Sequence, residues 1–217
     1  MAPTAIDTTP ESDKSSNLVR NRPHQLAHVV LRTTTANYQP LTQFYVDVLG
    51  AHIVHTDPVL TFLRYDEEHH RIAIIQTPDT VPRPKDASFA GMDHIAFTYS
   101  TLTQLAQQYT YLKSIGKHPI WAVNHGPTTS LYYRDPDGNK IELQVDNFDK
   151  PEHADDFMSG PLYEQNPMGT DFDPDEWASE ILGNAKPDGE EGLTQDRIKE
   201  LKMRKEIGER HDLPAGF

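Results

Sequence analysis

The sequence predicts an α+β fold made of two βαβββ modules that form a metal-containing pocket, followed by an acidic C-terminal arm. Two observations carry this. Residues 24–145 divide into halves with the same order of apolar runs, strand–helix–strand–strand–strand. The charge is also lopsided: residues 1–145 hold 14 acids against 12 bases, and residues 146–217 hold 19 against 8. Most of the net charge of −13 therefore belongs to the last third of the 217-residue chain.

In the first half, HQLAHVVLRT is an apolar run fit for a strand. In ANYQPLTQFYVDVLG, Leu41, Phe44, Tyr45, Val48 and Leu49 recur at helical spacing, and Gly50 ends the helix. AHIVHT, LTFLRY and RIAIIQT follow as short strands rich in β-branched or aromatic residues. The second half repeats the order. GMDHIAFTY is a strand, and TLTQLAQQYTYLKSIG is a helix closed by Gly116. HPIWAV, TSLYYRD and NKIELQV are strands, with DPDG as a tight turn between the last two. The organisation expected is a disordered 1–22, a domain over 23–145 with modules at about 24–80 and 90–145, and a C-terminal extension over 146–217.

Composition narrows the function classes. There is no cysteine, so disulfide scaffolds, thiol nucleophiles and iron–sulfur clusters are excluded, and any metal must be held by His, Asp or Glu. No run approaches eighteen apolar residues, and the N-terminus lacks a signal-peptide core, so a cytoplasmic protein without a membrane partner is expected. The acidic balance argues against nucleic acid. The Pro-, Gly- and Asp-rich extension reads either as a solvated tail or as an arm that wraps the domain or a second subunit. Phe148, Phe157, Tyr163, Phe172 and Trp177 are its candidate docking points, and Thr194 can cap a last helix containing Ile198 and Leu201.

Each half places a histidine at the same point of its first strand, His28 in LAHVVL and His94 in MDHIAF. Glu142 lies inside the apolar run NKIELQV, where a carboxylate is costly unless it is paired or binds a metal. Two histidines and one carboxylate facing one pocket form a facial triad with open positions, which suits non-haem Fe(II). Aligning RIAIIQ with KIELQV sets Ala73 against Glu142, so the first half lacks an equivalent carboxylate and the set stays at three ligands.

The strings LAHVVL, FYVDVLG, DHIAF and SLYYRDPDGNKIEL resemble the vicinal oxygen chelate superfamily. Its members include glyoxalase I, the bleomycin and fosfomycin resistance proteins and the extradiol ring-cleaving dioxygenases. The resemblance covers about residues 24–145 and is nearest the type I extradiol branch. That branch has a His-His pair before the last strand of its first module, here EEHHRIAI, which implies an acid–base role for His70. It also has a substrate-orienting tyrosine ten residues before the carboxylate ligand, here Tyr132, and His125 is the nearest match to a further pocket histidine. The resemblance thus implies an Fe(II) dioxygenase that opens a catechol with O₂ to a semialdehyde, acting as a homo-oligomer on a small aromatic substrate. Two rivals remain at this level: a Mn(II) or other divalent-metal thiol transferase, lyase or isomerase of the superfamily, and a metal-free drug-binding resistance protein. His24, His52, His55, His118, His153 and His211 read as surface or loop residues.

Overall fold

A computed structural model of the chain describes residues 21–84, 90–183 and 192–217. The segment expected to be disordered lies almost wholly outside these residues. The first module runs β1 (Val29–Thr33), α1 (Tyr38–Leu49), β2 (His52–Thr56), β3 (Leu60–Arg64) and β4 (Ile72–Gln76). The second runs β5 (His94–Thr98), α2 (Leu102–Ser114), β6 (Trp121–Asn124), β7 (Thr128–Arg134) and β8 (Lys140–Asp146). Both have the order expected from the sequence. The sheets are ordered β1-β4-β3-β2 and β5-β8-β7-β6, each with its first strand parallel to its last and the other pairs antiparallel.

The parallel registers verify the internal alignment. Val30 lies beside Ala73 in the first sheet, and Ala96 lies beside Glu142 in the second. Two residues before these positions stand His28, immediately before β1, and His94, the first residue of β5, so the two histidines are equivalent in register.

Local chemistry closes each element. Gly50 takes φ +59°, the left-handed conformation that a side chain resists, and its N–H caps α1 by donating to the Val46 carbonyl. Thr101 caps α2 by accepting from the Gln104 N–H. Leu41, Tyr45 and Val48 of α1, and Leu105, Ala106 and Leu112 of α2, join one continuous core with Leu63 and Ile74 of the first sheet and Leu131, Tyr133 and Ile141 of the second. The two helices also meet directly, because Gln108 donates to the Asp47 and Val48 carbonyls at 2.8 and 3.0 Å.

The DPDG turn locks the modules together. The buried Asp135 carboxylate accepts from the backbone N–H of Asp137 and Asn139 at 2.9 and 2.8 Å, and from Tyr45 Oη of α1 at 3.1 Å. Asn37, at the start of α1, donates to Asp137 Oδ1 at 2.6 Å.

The C-terminal extension is packed. Its helices are α3 (Pro151–Met158), α4 (Pro161–Gln165), α5 (Pro174–Leu182) and α6 (Gln195–Lys202), and a short strand β9 (Thr170–Asp171) adds to the β6 edge of the second sheet. Asp173 caps α5, which lies against α2 and sends Trp177, Ala178 and the fully buried Ile181 into the core. Tyr109 Oη donates to Asp175 at 2.6 Å across that contact. Thr194 caps α6, as its spacing predicts, but the helix ends at Lys202. Among the described residues of the extension the acids are exposed, apart from the half-buried Glu180, while Trp177, Ala178, Ile181 and Ile198 are buried. Among the described residues no helix is long and apolar enough to cross a membrane.

Two stability outcomes follow. Ile181→Ala is expected to cost about 2–5 kcal/mol, the range for emptying a fully buried aliphatic site, and a thermal melt unchanged by it would mean the extension is not docked. Asp135→Ala strands Tyr45 Oη and two backbone N–H groups, so a loss of about 2–4 kcal/mol is expected in denaturant titration.

Candidate metal centre

The strand pairing builds the second module's half of the site. Glu142 sits in the middle of β8, between Ala96 of β5 and Tyr132 of β7, and only 4% of it is exposed. The His94 ring reaches over from two residues before Ala96, placing Nε2 3.0 Å from Glu142 Oε2. Trp121 pairs with Tyr132 across β6 and β7, their rings stacked at 5.2 Å. Sequence alternation explains the grouping: Ser130 and Tyr132, like Glu142 and Gln144, share one face of the sheet, and the core residues occupy the other.

The electrostatics agree with a ligating pair. Burial alone would raise the Glu142 pKa, but hydrogen bonds from His94 and Ser130, with the charges of His94 and His125, hold it below the usual carboxylate range. The Glu142 hydrogen bond raises the His94 pKa against the opposing effect of burial. His94 Nδ1 lies 2.8 Å from Asp93 Oδ2, and Lys140 Nζ lies 2.6 Å from Asp93 Oδ1. With a carboxylate on each ring nitrogen the imidazole is a double donor here; a metal would take the place of the Nε2 proton while Asp93 keeps hold of Nδ1–H.

The donor set can be tested on its geometry. Two donors each about 2.0–2.2 Å from a metal, at a right angle, stand about 3 Å apart, and His94 Nε2 and Glu142 Oε2 have that separation. These two residues fit as neighbouring ligands.

Next to them, His125 Nδ1 lies 2.8 Å from the Met168 carbonyl, which can only accept, so the proton is on Nδ1. His125 Nε2 therefore accepts from Tyr132 Oη at 2.9 Å. Burial lowers the His125 pKa, and burial with the nearby Glu142 carboxylate raises that of Tyr132. Phe217 packs on Trp121 and Tyr132 at 4.9 and 5.0 Å, with Lys140 Nζ 3.8 Å over its ring.

The first module holds the remaining candidates. His28 is exposed just before β1, its ring 4.4 Å from that of His70. His70 is buried and stacks on Phe62 at 4.4 Å, whereas His69 points to solvent beside Glu68. Desolvation and the neighbouring His28 and His69 lower the His70 pKa. Among the described residues no three His, Asp or Glu are arranged so that they could hold a metal ion between them. The structure thus joins His94, Glu142, Tyr132 and His125 in one cluster and His28 with His70 in another.

A family model for the Glyoxalase/Bleomycin resistance protein/Dioxygenase superfamily matches residues 25–143. The chain belongs to this superfamily. Two relatives from Rhodococcus globerulus, biphenyl-2,3-diol 1,2-dioxygenases 2 and 3, are each 47% identical to it. The matches span 150 and 151 residues, 69% of this chain and 77% and 78% of theirs. Among solved structures, lactoylglutathione lyase from Agrobacterium tumefaciens is 17% identical, covering 58% of this chain and 96% of that one with a TM-score of 0.46.

Sequence reasoning missed Asp93, Ser130, Trp121 and Phe217 in this cluster. Asp93 and Ser130 had available signals, adjacency to His94 and strand parity with Tyr132. Phe217 has none, because it reaches the site only through tertiary packing. Asp93→Asn is expected to weaken divalent-metal binding about 10–100-fold, the usual effect of losing a ligand's carboxylate partner, with the melting curve little changed. Unaltered affinity in a chelator competition would remove Asp93 from the site.

Proposed function

We propose that the protein is an extradiol-type dioxygenase that opens a catechol ring with O₂ on Fe(II). The observation that carries this is the 47% identity to two biphenyl-2,3-diol 1,2-dioxygenases. The His94–Glu142 pair, with Tyr132 and His125 beside it, is the chemistry such an activity needs. His28, His94 and Glu142 would hold the metal, two imidazoles and one carboxylate, leaving open positions. Bound iron supplies Lewis acidity that favours the ionised catechol, and redox access to O₂.

The protein side of the mechanism rests on the other residues. Tyr132 keeps its proton, because burial and Glu142 disfavour the phenolate. Its hydroxyl already points at a neutral imidazole, so a substrate oxygen can accept from it only by exchanging with His125 or by sharing the same network. Phe217, half-buried over Trp121, supplies the apolar ring against which an aromatic substrate could lie. His70, with its lowered pKa, is the free base near neutral pH and can take a catechol hydroxyl proton and return it. Its stacking on Phe62 and His28 fixes the ring plane.

The test is oxygen uptake and semialdehyde absorbance with catechol, substituted catechols and biphenyl-2,3-diol, on protein loaded anaerobically with Fe(II). His70→Ala is expected to keep the metal and lose about 10²–10⁴-fold in turnover, the usual worth of a positioned proton acceptor. His69→Ala should change little, since its side chain faces solvent. Wild type inert toward every catechol, or equal losses at His69 and His70, would sink the proposal.

A further inference from the structure

One side chain of the extension reaches the site from outside the modules. Arg204, just past α6, is only 6% exposed, and its guanidinium places all five N–H donors on partners inside the protein. Nη1 donates to the carbonyls of His125 and Asn166 at 3.1 and 2.6 Å. Nη2 donates to the Leu162 carbonyl at 3.0 Å and to Glu206 Oε2 at 2.9 Å, and Nε to Glu206 Oε1 at 3.1 Å. A cation buried this far stabilises a fold little more than well-packed apolar side chains would, so the positions of its acceptors matter more than its burial. One of them is on the loop that carries His125, and another is on the loop that carries Met168.

The same two loops are pressed together around it. Asn166 is fully buried and closes its own turn, its Oδ1 accepting from the Gly169 N–H at 2.7 Å. Gly169 has φ +94°, and a Cβ there would collide with the Asn124 carbonyl oxygen and come within 2.8 Å of His125 Cα, so glycine alone lets the loops touch. Asn124 Nδ2 donates at 3.0 Å to the carbonyl of Lys202, two residues before Arg204. Met168 stands between Asn166 and Gly169, and its carbonyl accepts from His125 Nδ1 at 2.8 Å.

We propose that Arg204 is a positioning residue: by tying the His125 and Asn166 carbonyls together it holds the Met168 carbonyl on His125 Nδ1, and so keeps the Tyr132 proton on His125 and off Glu142. This rests on the reading of Glu142 as a metal ligand given above. The consequence follows from counting protons. Tyr132 has one hydroxyl proton and two acceptors in reach, His125 Nε2 at 2.9 Å and the carboxylate of Glu142, its cross-strand neighbour. With Nδ1 protonated, Nε2 takes that proton into a hydrogen bond. In the other tautomer Nε2 would donate to the phenol oxygen, and the hydroxyl would turn to Glu142 and occupy a lone pair that a metal needs. A lysine in place of Arg204 keeps the charge but brings three donors to five acceptor atoms.

The experiment reads the tautomer and the metal separately. Metal-free full-length chains with nitrogen-15 histidine are compared by long-range proton–nitrogen correlation, for wild type, Arg204→Lys and Arg204→Gln. The His125 signals, assigned by their loss in His125→Asn, should show the Nδ1–H form in wild type and a mixture of both forms in the two Arg204 variants. Mn(II) affinity in a chelator competition should fall about 10–100-fold in Arg204→Lys, the usual effect of disturbing a group behind a ligand. In the His125→Asn background, where Tyr132 has already lost its imidazole acceptor, Arg204→Lys should lower Mn(II) affinity no further. A second, additive loss there is what a merely structural arginine gives, and it overturns the proposal. So does an unchanged tautomer in whichever Arg204 variant folds, or an Nε2–H form in wild type, which needs no variant at all. A wild type that binds no Mn(II) overturns the ligand reading, and the nitrogen signals still decide whether Arg204 sets the ring.

Discussion

A carboxylate buried in the middle of a sheet constrains everything around it. Glu142 is flanked by strands on both sides and almost removed from water, and an unpaired charge there would cost several kcal/mol. The chain meets this cost by convergence: His94 and Ser130 hydrogen-bond the carboxylate, and Asp93 and Lys140 continue the alternation of charge outward. The parallel register of β5 on β8 makes this possible, because a slip of one residue would turn Glu142 into the core and Ile141 into the site. Site and core are thus specified by the same alternation on the same strand.

The two modules show what such a frame can vary. Each puts a histidine two residues before the paired position on its first strand, and each buries its helix against the same side of its sheet. They part where Glu142 is matched by Ala73. With no buried carboxylate to satisfy, the first module has no equivalent of the Asp93–His94–Glu142 chain. It stacks aromatic and imidazole rings instead, Phe62 on His70 on His28. One module offers a fixed imidazole–carboxylate pair, and the other a stack of aromatic and imidazole rings.

Most of this frame was legible in the sequence. The period of the apolar runs carried the ten elements of the modules, because each helix and strand buries one face. The equivalence of His28 with His94, and of Ala73 with Glu142, was readable from the repeat and is realised in the strand registers. The expected contrast between His69 and His70 is also present, one ring outside and one inside, although both residues lie in the loop before β4 rather than on a strand. What sequence could not supply is how the modules face each other. That is decided by Asp135 accepting from Tyr45 and by Asn37 donating to Asp137, about a hundred residues apart, and no local pattern announces such contacts. For the same reason the three ligand candidates could be named without their distribution over two clusters being foreseen.

The acidic extension shows why charge counting alone misjudges a segment. Nearly all its described acids lie at the surface, while Trp177 and Ile181 close the core beside α2, and β9 covers the edge of β6. It also reaches the site. The buried Arg204 guanidinium donates to the carbonyls of Leu162, Asn166 and His125, at 3.0, 2.6 and 3.1 Å, and so ties the loop that carries His125 to the extension. The Met168 carbonyl then takes the His125 Nδ1 proton into a hydrogen bond. That bond leaves Nε2 as an acceptor, directs the Tyr132 hydroxyl toward it and keeps the phenol protonated next to Glu142. The proton arrangement around the candidate ligands is therefore set from outside the two modules. Without the extension the strands could still hold Glu142 and Tyr132 in register, but nothing in the modules would choose the tautomer of His125.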